Sequence, residues 1–135
     1  MNEVWKPIKD YEGKYEISNF GIVKSLERWS GTKFYKREKM LNLHTNKRNG
    51  YVYVWLNKNG AGKFIRVHKL VAETFLNNDS NYTDINHKDY NRTNNNVTNL
   101  EYCTRSYNIK HSYENNNRKS NLVKWYKNSL VGRNK

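Results

Sequence analysis

Between Asp84 and His111 the chain leaves itself little conformational choice. Asp84 to His87 is strand-like, the asparagine-rich run Asp89 to Asn96 reads as a loop, and Leu100 to Cys103 is a second short strand. A helix should follow. The Thr104 hydroxyl can accept an amide hydrogen bond at its start, and Tyr107, Ile109 and Lys110 do not resist helical geometry. Asn108 and His111 are three residues apart, so they share a helix face and can look back onto the hairpin that carries Asn86 and His87. Such a set suits phosphodiester hydrolysis. A neutral imidazole takes a proton from water near neutral pH, and side-chain oxygens hold a hard divalent cation on a scissile phosphate. Neighbours on a regular strand point to opposite faces. Asn86 and His87 therefore serve one site only if the strand twists or ends there, as a turn over Lys88-Asp89-Tyr90-Asn91 would make it do.

One asparagine taken alone is more often a turn or cap residue than a ligand. The joint spacing of Asn86, His87, Asn99 and Asn108 carries the reading, whereas a helix-end interaction or a phosphate contact explains His111 equally well. The charge agrees with this chemistry. At 135 residues the formal net charge is +13 and the pI about 9.8, which points to a polyanionic partner. Nucleic acid fits better than membrane, because no apolar run approaches a membrane span and no secretory signal opens the chain. The single cysteine, Cys103, excludes an internal disulfide and a cysteine-based zinc site. It suits a reducing cytoplasm, and on the second strand it reads as a packing residue.

Several segments resemble, in spacing and order, the HNH motif of phage-type homing endonucleases. They are Ile85-Asn86-His87-Lys88-Asp89, the paired Asn94 and Asn95, Asn99-Leu100-Glu101 and Asn108-Ile109-Lys110-His111. The resemblance implies an α+β fold in which a small β-rich N-terminal module precedes a ββα-metal domain. It further implies His87 as general base, Asn86 and Asn108 as ligands of one Mg2+ or Mn2+ ion, and Asn99 as the brace of the hairpin. Arg105, His68 and His111 are candidates for phosphate contact or support of the site, although a buried structural role accounts equally for His68. Some relatives carry Asp where this chain has Asn86, and many have Gly where it has Tyr90. A left-handed turn at Tyr90 would carry a steric penalty that Gly avoids. Two neutral amides attract a cation less than a carboxylate does, so metal and DNA are expected to bind cooperatively, with little metal on the free protein. Calorimetric titration showing tight metal binding without DNA would contradict that.

From its start, the chain alternates aromatic and polar residues around turn signals, which predicts short strands with Trp5, Ile8, Tyr11, Tyr15, Ile17 and Val23 as a small core. This run, continued through Leu26, resembles the module that often precedes the HNH domain in phage nucleases. Residues 1–23 hold three lysines and four acids, whereas residues 24–48 hold eight Lys or Arg and two acids. Arg28, Lys33, Lys36, Arg37, Lys39, Lys47 and Arg48, interleaved with Trp29, Phe34 and Tyr35, read as DNA-backbone contacts with stacking partners, against the alternative of a solvated loop. Tyr51 to Leu56, a turn over Asn57 to Gly62, and Lys63 to Val67 form a predicted hairpin. It runs into a helix from His68 to Leu76 with Leu70, Val71 and Phe75 on one face, expected to pack under the catalytic hairpin.

The expected organisation is an N-terminal DNA-contacting module over 1–48, a nuclease domain over 49–112 and a basic tail over 113–135. The tail reads as a helix around Leu122, Val123, Trp125, Tyr126 and Leu130, or as an arm that orders on DNA. It looks too short for a complete helix-turn-helix reading head. The resulting expectation is a metal-dependent endonuclease acting on double-stranded DNA in the cytoplasm of a phage-infected cell, nicking as a monomer. A non-catalytic DNA-binding protein derived from such a nuclease, and an RNA-binding protein, are the alternatives.

Overall fold

The computed structural model describes residues 1–30 and 34–118. Its strands are short because turn residues interrupt them. β1 (Trp5–Pro7) and β2 (Tyr15–Ser18) are separated by a compact loop, and β3 (Val23–Ser25) follows a turn at Gly21. The basic stretch is strand-bearing rather than plain loop. Its residues β4 (Arg28–Ser30) and β5 (Phe34–Lys36) form a hairpin, after which β6 (Lys39–Met40) returns to β3 and completes a sheet of order β1-β2-β3-β6.

β7 (His44–Thr45), β8 (Val52–Lys58) and β9 (Ala61–Arg66) make a separate antiparallel sheet. The β8–β9 turn is tighter than the sequence predicts. Asn59 and Gly60 both take positive φ, at 54° and 79°, so two residues suffice and Lys58 already pairs with Ala61. Helix α1 (Val67–Phe75) starts directly from β9 without a side-chain cap. Its stability comes from its apolar stripe, with Val67, Leu70, Val71 and Ala72 buried. Strand β10 (Asp84–His87), a 3-10 turn at Val97–Asn99, strand β11 (Leu100–Cys103) and helix α2 (Arg105–Arg118) follow. α2 begins where expected, with the Tyr107 amide donating to Thr104 Oγ1 at 3.1 Å. It continues past residue 112 to 118; residues 119–135, with the helix or arm expected there, lie outside the described residues.

One buried cluster serves both halves of the chain. Ile8, Tyr11, Tyr15, Ile17 and Val23 pack with Val52, Val54, Leu56, Val67, Leu70, Val71 and Leu100. Each fully enclosed member contributes roughly 1.5–3 kcal/mol of burial free energy. Trp5 departs from the expected core. It sits half-buried on edge strand β1, where the Lys24 ammonium lies 4.3 Å from its ring centroid, because the outer face of an edge strand has no sheet to pack against. α1 packs against β10 and β11, which places it under the hairpin. No described helix is long and apolar enough to cross a membrane.

Candidate active site

β10 and β11 pair in the register Asp84↔Cys103, Ile85↔Tyr102, Asn86↔Glu101 and His87↔Leu100. Alternation puts Asp84 and Asn86 on one face, toward α2, and His87 on the other. The strand ends at His87, where the Tyr90 amide donates to the His87 carbonyl at 3.0 Å and closes a turn. That ending resolves the alternation problem. His87, Asn86 and Asn108 all line one cleft of about 440 Å³, together with Asp84, Tyr90, Arg92 and Arg105.

His87 is buried, and its Nε2 lies 2.8 Å from Asn95 Oδ1. An amide oxygen only accepts, so Nε2 carries the proton and Nδ1 keeps the lone pair. Burial holds the His87 pKa below that of a free imidazole, against the opposing pull of Asn95 and the Asp89 carboxylate. The ring is therefore neutral at neutral pH. Behind it stands His68, 6% exposed and 5.0 Å from His87 between ring centroids. His68 stacks on Tyr51 and its Nδ1 is buried without a hydrogen-bond partner; burial first, then the second imidazole of His87, which resists a further proton beside it, and the Arg66 guanidinium push its pKa down to about 3. It does not line the cleft but packs behind His87.

Asn99 is buried and makes three bonds that tie the loop together. Its Oδ1 accepts the Asp89 amide at 3.0 Å, and its Nδ2 donates to Asp89 Oδ1 at 2.8 Å and to the Asn94 carbonyl at 2.9 Å. Tyr90 takes φ 65°, the left-handed conformation that Gly would adopt without strain, and its ring stacks on His111 at 4.1 Å. His111 thereby forms part of the cleft wall. Asn86 donates through Nδ2 to Glu101 Oε1 at 2.9 Å, and Asn108 through Nδ2 to Asp84 Oδ2 at 3.1 Å. Arg105 is largely exposed, with a nitrogen 3.7 Å from Asp84 Oδ1. Asn86 and Asn108 line the same cleft, and their amide oxygens are hard donors of the kind that suits Mg2+ or Mn2+. Among the described residues, no group of three or more His, Cys, Asp or Glu side chains gathers to hold a metal, so amides must supply part of any coordination.

The N-terminal module reaches this site through one loop. The Val97 amide donates to the Asn19 carbonyl at 2.8 Å, and Gly21, at φ +83°, lies so close to Asn95 that an added Cβ would fall 2.9 Å from the Asn95 Cβ. Only glycine fits there.

The basic residues expected to touch DNA divide. Lys36, Arg37 and Lys39 are exposed and line a second cleft, which shares no residue with the first; Lys47 and Arg48 are exposed on the turn after β7. Arg28 lines that second cleft too and also makes contacts inside the protein. Its Nη1 donates to the Lys14 and Leu26 carbonyls and to Ser25 Oγ, so this half-buried guanidinium fastens β3 to the hairpin behind it. Lys33 lies outside the described residues. Sequence reading missed Tyr51, Arg66 and Arg92. Both guanidinium carbons lie 4.6 Å from the Tyr51 ring centroid, and among the described residues neither arginine is in an ion pair. These contacts join residues far apart in the chain, so no local pattern announces them. Asp84 and Glu101 were also missed as site groups. Their signal was legible, since Asp84 is two residues before Asn86 on a strand and so shares its face.

A two-stranded hairpin and a following helix that aim an imidazole and amide oxygens into one cleft define a ββα site of the HNH nuclease class. The NUMOD4 motif matches residues 3–57. The DNA endonuclease I-HmuI of Bacillus phage SP01 is 37% identical over 105 residues, which cover 78% of this chain and 55% of that protein. An uncharacterized HNH endonuclease of Acanthamoeba polyphaga mimivirus is 37% identical over 111 residues, 82% of this chain and 30% of the relative. A solved structure of the HNH homing endonuclease I-HmuI, described as showing its DNA binding and cleavage, matches with a TM-score of 0.69 at 35% identity, over 93% of this chain and 68% of that one. The chain thus spans about half or less of the length of these curated relatives. It belongs to the phage-type HNH endonuclease family.

Proposed function

We propose that this chain is a metal-dependent DNA endonuclease in which His87 is the general base. The observation that carries the reading is the convergence of His87, Asn86 and Asn108 on one cleft, with the His87 ring neutral and its Nε2–H held by Asn95. His87 Nδ1 takes a proton from water as the water oxygen bonds to phosphorus in line with the leaving 3′ oxygen. The P–O3′ bond breaks, leaving a 5′-phosphate and a 3′ oxyanion that takes a proton from solvent water to become the 3′-hydroxyl. Asn86 and Asn108 are the residues that would hold a divalent ion. When bound, such an ion supplies positive charge to the phosphate and to the leaving oxygen. Asn99 acts through the loop, keeping the turn after His87 in place. Arg66, Arg92 and Arg105 have guanidinium groups in or beside the cleft and suit phosphate oxygens. The N-terminal module, with Lys36, Arg37, Lys39, Lys47 and Arg48, contacts the duplex backbone.

One site per chain fits a monomer that nicks one strand. The test is cleavage of supercoiled plasmid and phage genomic DNA by the wild type and His87→Ala, with Mg2+, Mn2+ or chelator. Metal-dependent nicked circle that the variant fails to produce, at unchanged DNA affinity, supports the reading. Substantial cleavage by His87→Ala refutes His87 as base, and direct linear product refutes the monomeric nickase.

A further inference from the structure

Two asparagines from different elements share one device. Asn86 on β10 gives its amide NH2 to Glu101, its cross-strand partner on β11, and Asn108 on α2 gives its NH2 to Asp84 at the start of β10. An asparagine side chain has two ends of similar shape and opposite polarity. Presented by its NH2 it repels a cation; presented by its oxygen it binds one. A carboxylate can only accept, so it captures the NH2 end and leaves the oxygen as the atom available to a cation.

From this we propose that Asp84 and Glu101 are positioning residues for the cation site, each fixing one ligand amide with its oxygen available and making that oxygen more negative. The inference rests on the reading that Asn86 and Asn108 hold a divalent ion, and it assigns work to two carboxylates that the ligand set leaves unexplained. Asp84 is itself held. Thr83 Oγ1 donates to Asp84 Oδ1 at 3.1 Å, and Arg105 lies 3.7 Å from the same oxygen. The arrangement parallels the carboxylate that orients a metal-bound histidine from outside the coordination sphere. It also accounts for an amide at position 86. An aspartate there would face Glu101 directly across the hairpin, carboxylate against carboxylate. Acidity is thus placed one shell out, where it orients and polarises the amide ligands.

The test is Mn2+ binding by the full chain, free and bound to duplex DNA, followed by the paramagnetic resonance signal of free Mn2+. The variants are Asp84→Asn, Asp84→Ala, Glu101→Gln and Glu101→Ala. Asn and Gln keep an acceptor oxygen and remove the charge, whereas Ala removes both. The expected order of affinity is wild type, then Asn or Gln, then Ala, with the Ala variants weakened roughly 10–100-fold. Cleavage by Asp84→Asn should recover at saturating Mn2+, and its melting temperature in chelator should match the wild type. Equal Mn2+ affinity across the series overturns the positioning role. So does an Asp84→Asn variant as weak as Asp84→Ala, because charge alone would then account for the effect. A wild type that binds no Mn2+ even on DNA overturns instead the cation-site reading on which the inference rests.

Discussion

Replacing His68 by Phe should make the protein markedly more tolerant of mild acid. His68 is 6% exposed, stacks on Tyr51, has an unpartnered Nδ1 and sits beside a second imidazole, so its pKa falls from 6.5 to about 3. In the unfolded chain the ring protonates near its ordinary pKa, while in the folded chain it stays neutral. The unfolded state therefore binds more protons between those values, and stability falls as pH drops through that window. At about 1.4 kcal/mol per pH unit, and allowing for the partial protonation already present near pH 7, acidification to about pH 5 costs about 2 kcal/mol through this group alone. Phe keeps the ring stacked on Tyr51 and removes the titrating group. Urea unfolding followed by tryptophan fluorescence at several pH values measures the free energies, and the wild-type loss should exceed the variant's by about 2 kcal/mol. Parallel stability curves for the two proteins would refute the claim that His68 is buried neutral.

The remaining expectations concern the loop and the hairpin. Gly21→Ala combines left-handed strain with a collision against Asn95 and should cost about 2–4 kcal/mol in chemical unfolding, whereas Gly13→Ala, at φ +80° with nothing within 4 Å of the added Cβ, should lose only the strain component; equal losses would remove the collision from the account. Asn99→Ala strands the Asp89 amide and the Asn94 carbonyl and should cost about 2–4 kcal/mol together with most cleavage activity, measured by melting and plasmid nicking; a fully active variant would show that the loop holds without it. Because burial lowers the His87 pKa, the acid limb of the cleavage profile should lie below that of a free imidazole, and a rate that falls already above pH 6.5 would contradict a neutral buried base. Asn86→Asp should lower stability in chelator by roughly 0.2–1 kcal/mol and regain it when Glu101→Gln is added, with no regain arguing against direct opposition across the hairpin.

Local chemistry made the second half of the chain readable. The alternation and turn residues of 84–103 give β10, its loop and β11, and Thr104 caps α2 as its hydroxyl predicts. Tyr90 occupies the left-handed position that its place in the turn made suspect. What stayed hidden depends on contacts between distant residues. Nothing near Arg28 in sequence shows that its guanidinium reaches the Lys14 carbonyl, so its positive charge alone suggested DNA. Trp5 looked like core because it is large and apolar, yet its strand lies at a sheet edge. The β4–β5 hairpin escaped because clustered charge masks strand alternation. At the site, strand alternation puts Asp84 on the face of Asn86, but nothing local announces the hydrogen bond that Asn108 makes to it across 24 residues.

The close approach of Gly21 to Asn95 bears on whether the two halves of the chain can be exchanged separately. Asn95 holds the imidazole of His87, and Gly21, whose backbone lies against it, belongs to the N-terminal module. A graft that moves this module onto another HNH domain must carry a compatible pair at positions 21 and 95, or the incoming backbone displaces the residue hydrogen-bonded to His87. The shared core imposes the same condition, because a crossover near position 48 separates Ile17 and Val23 from Val54 and Leu56. Recombination that respects both contacts would exchange the two halves as a unit.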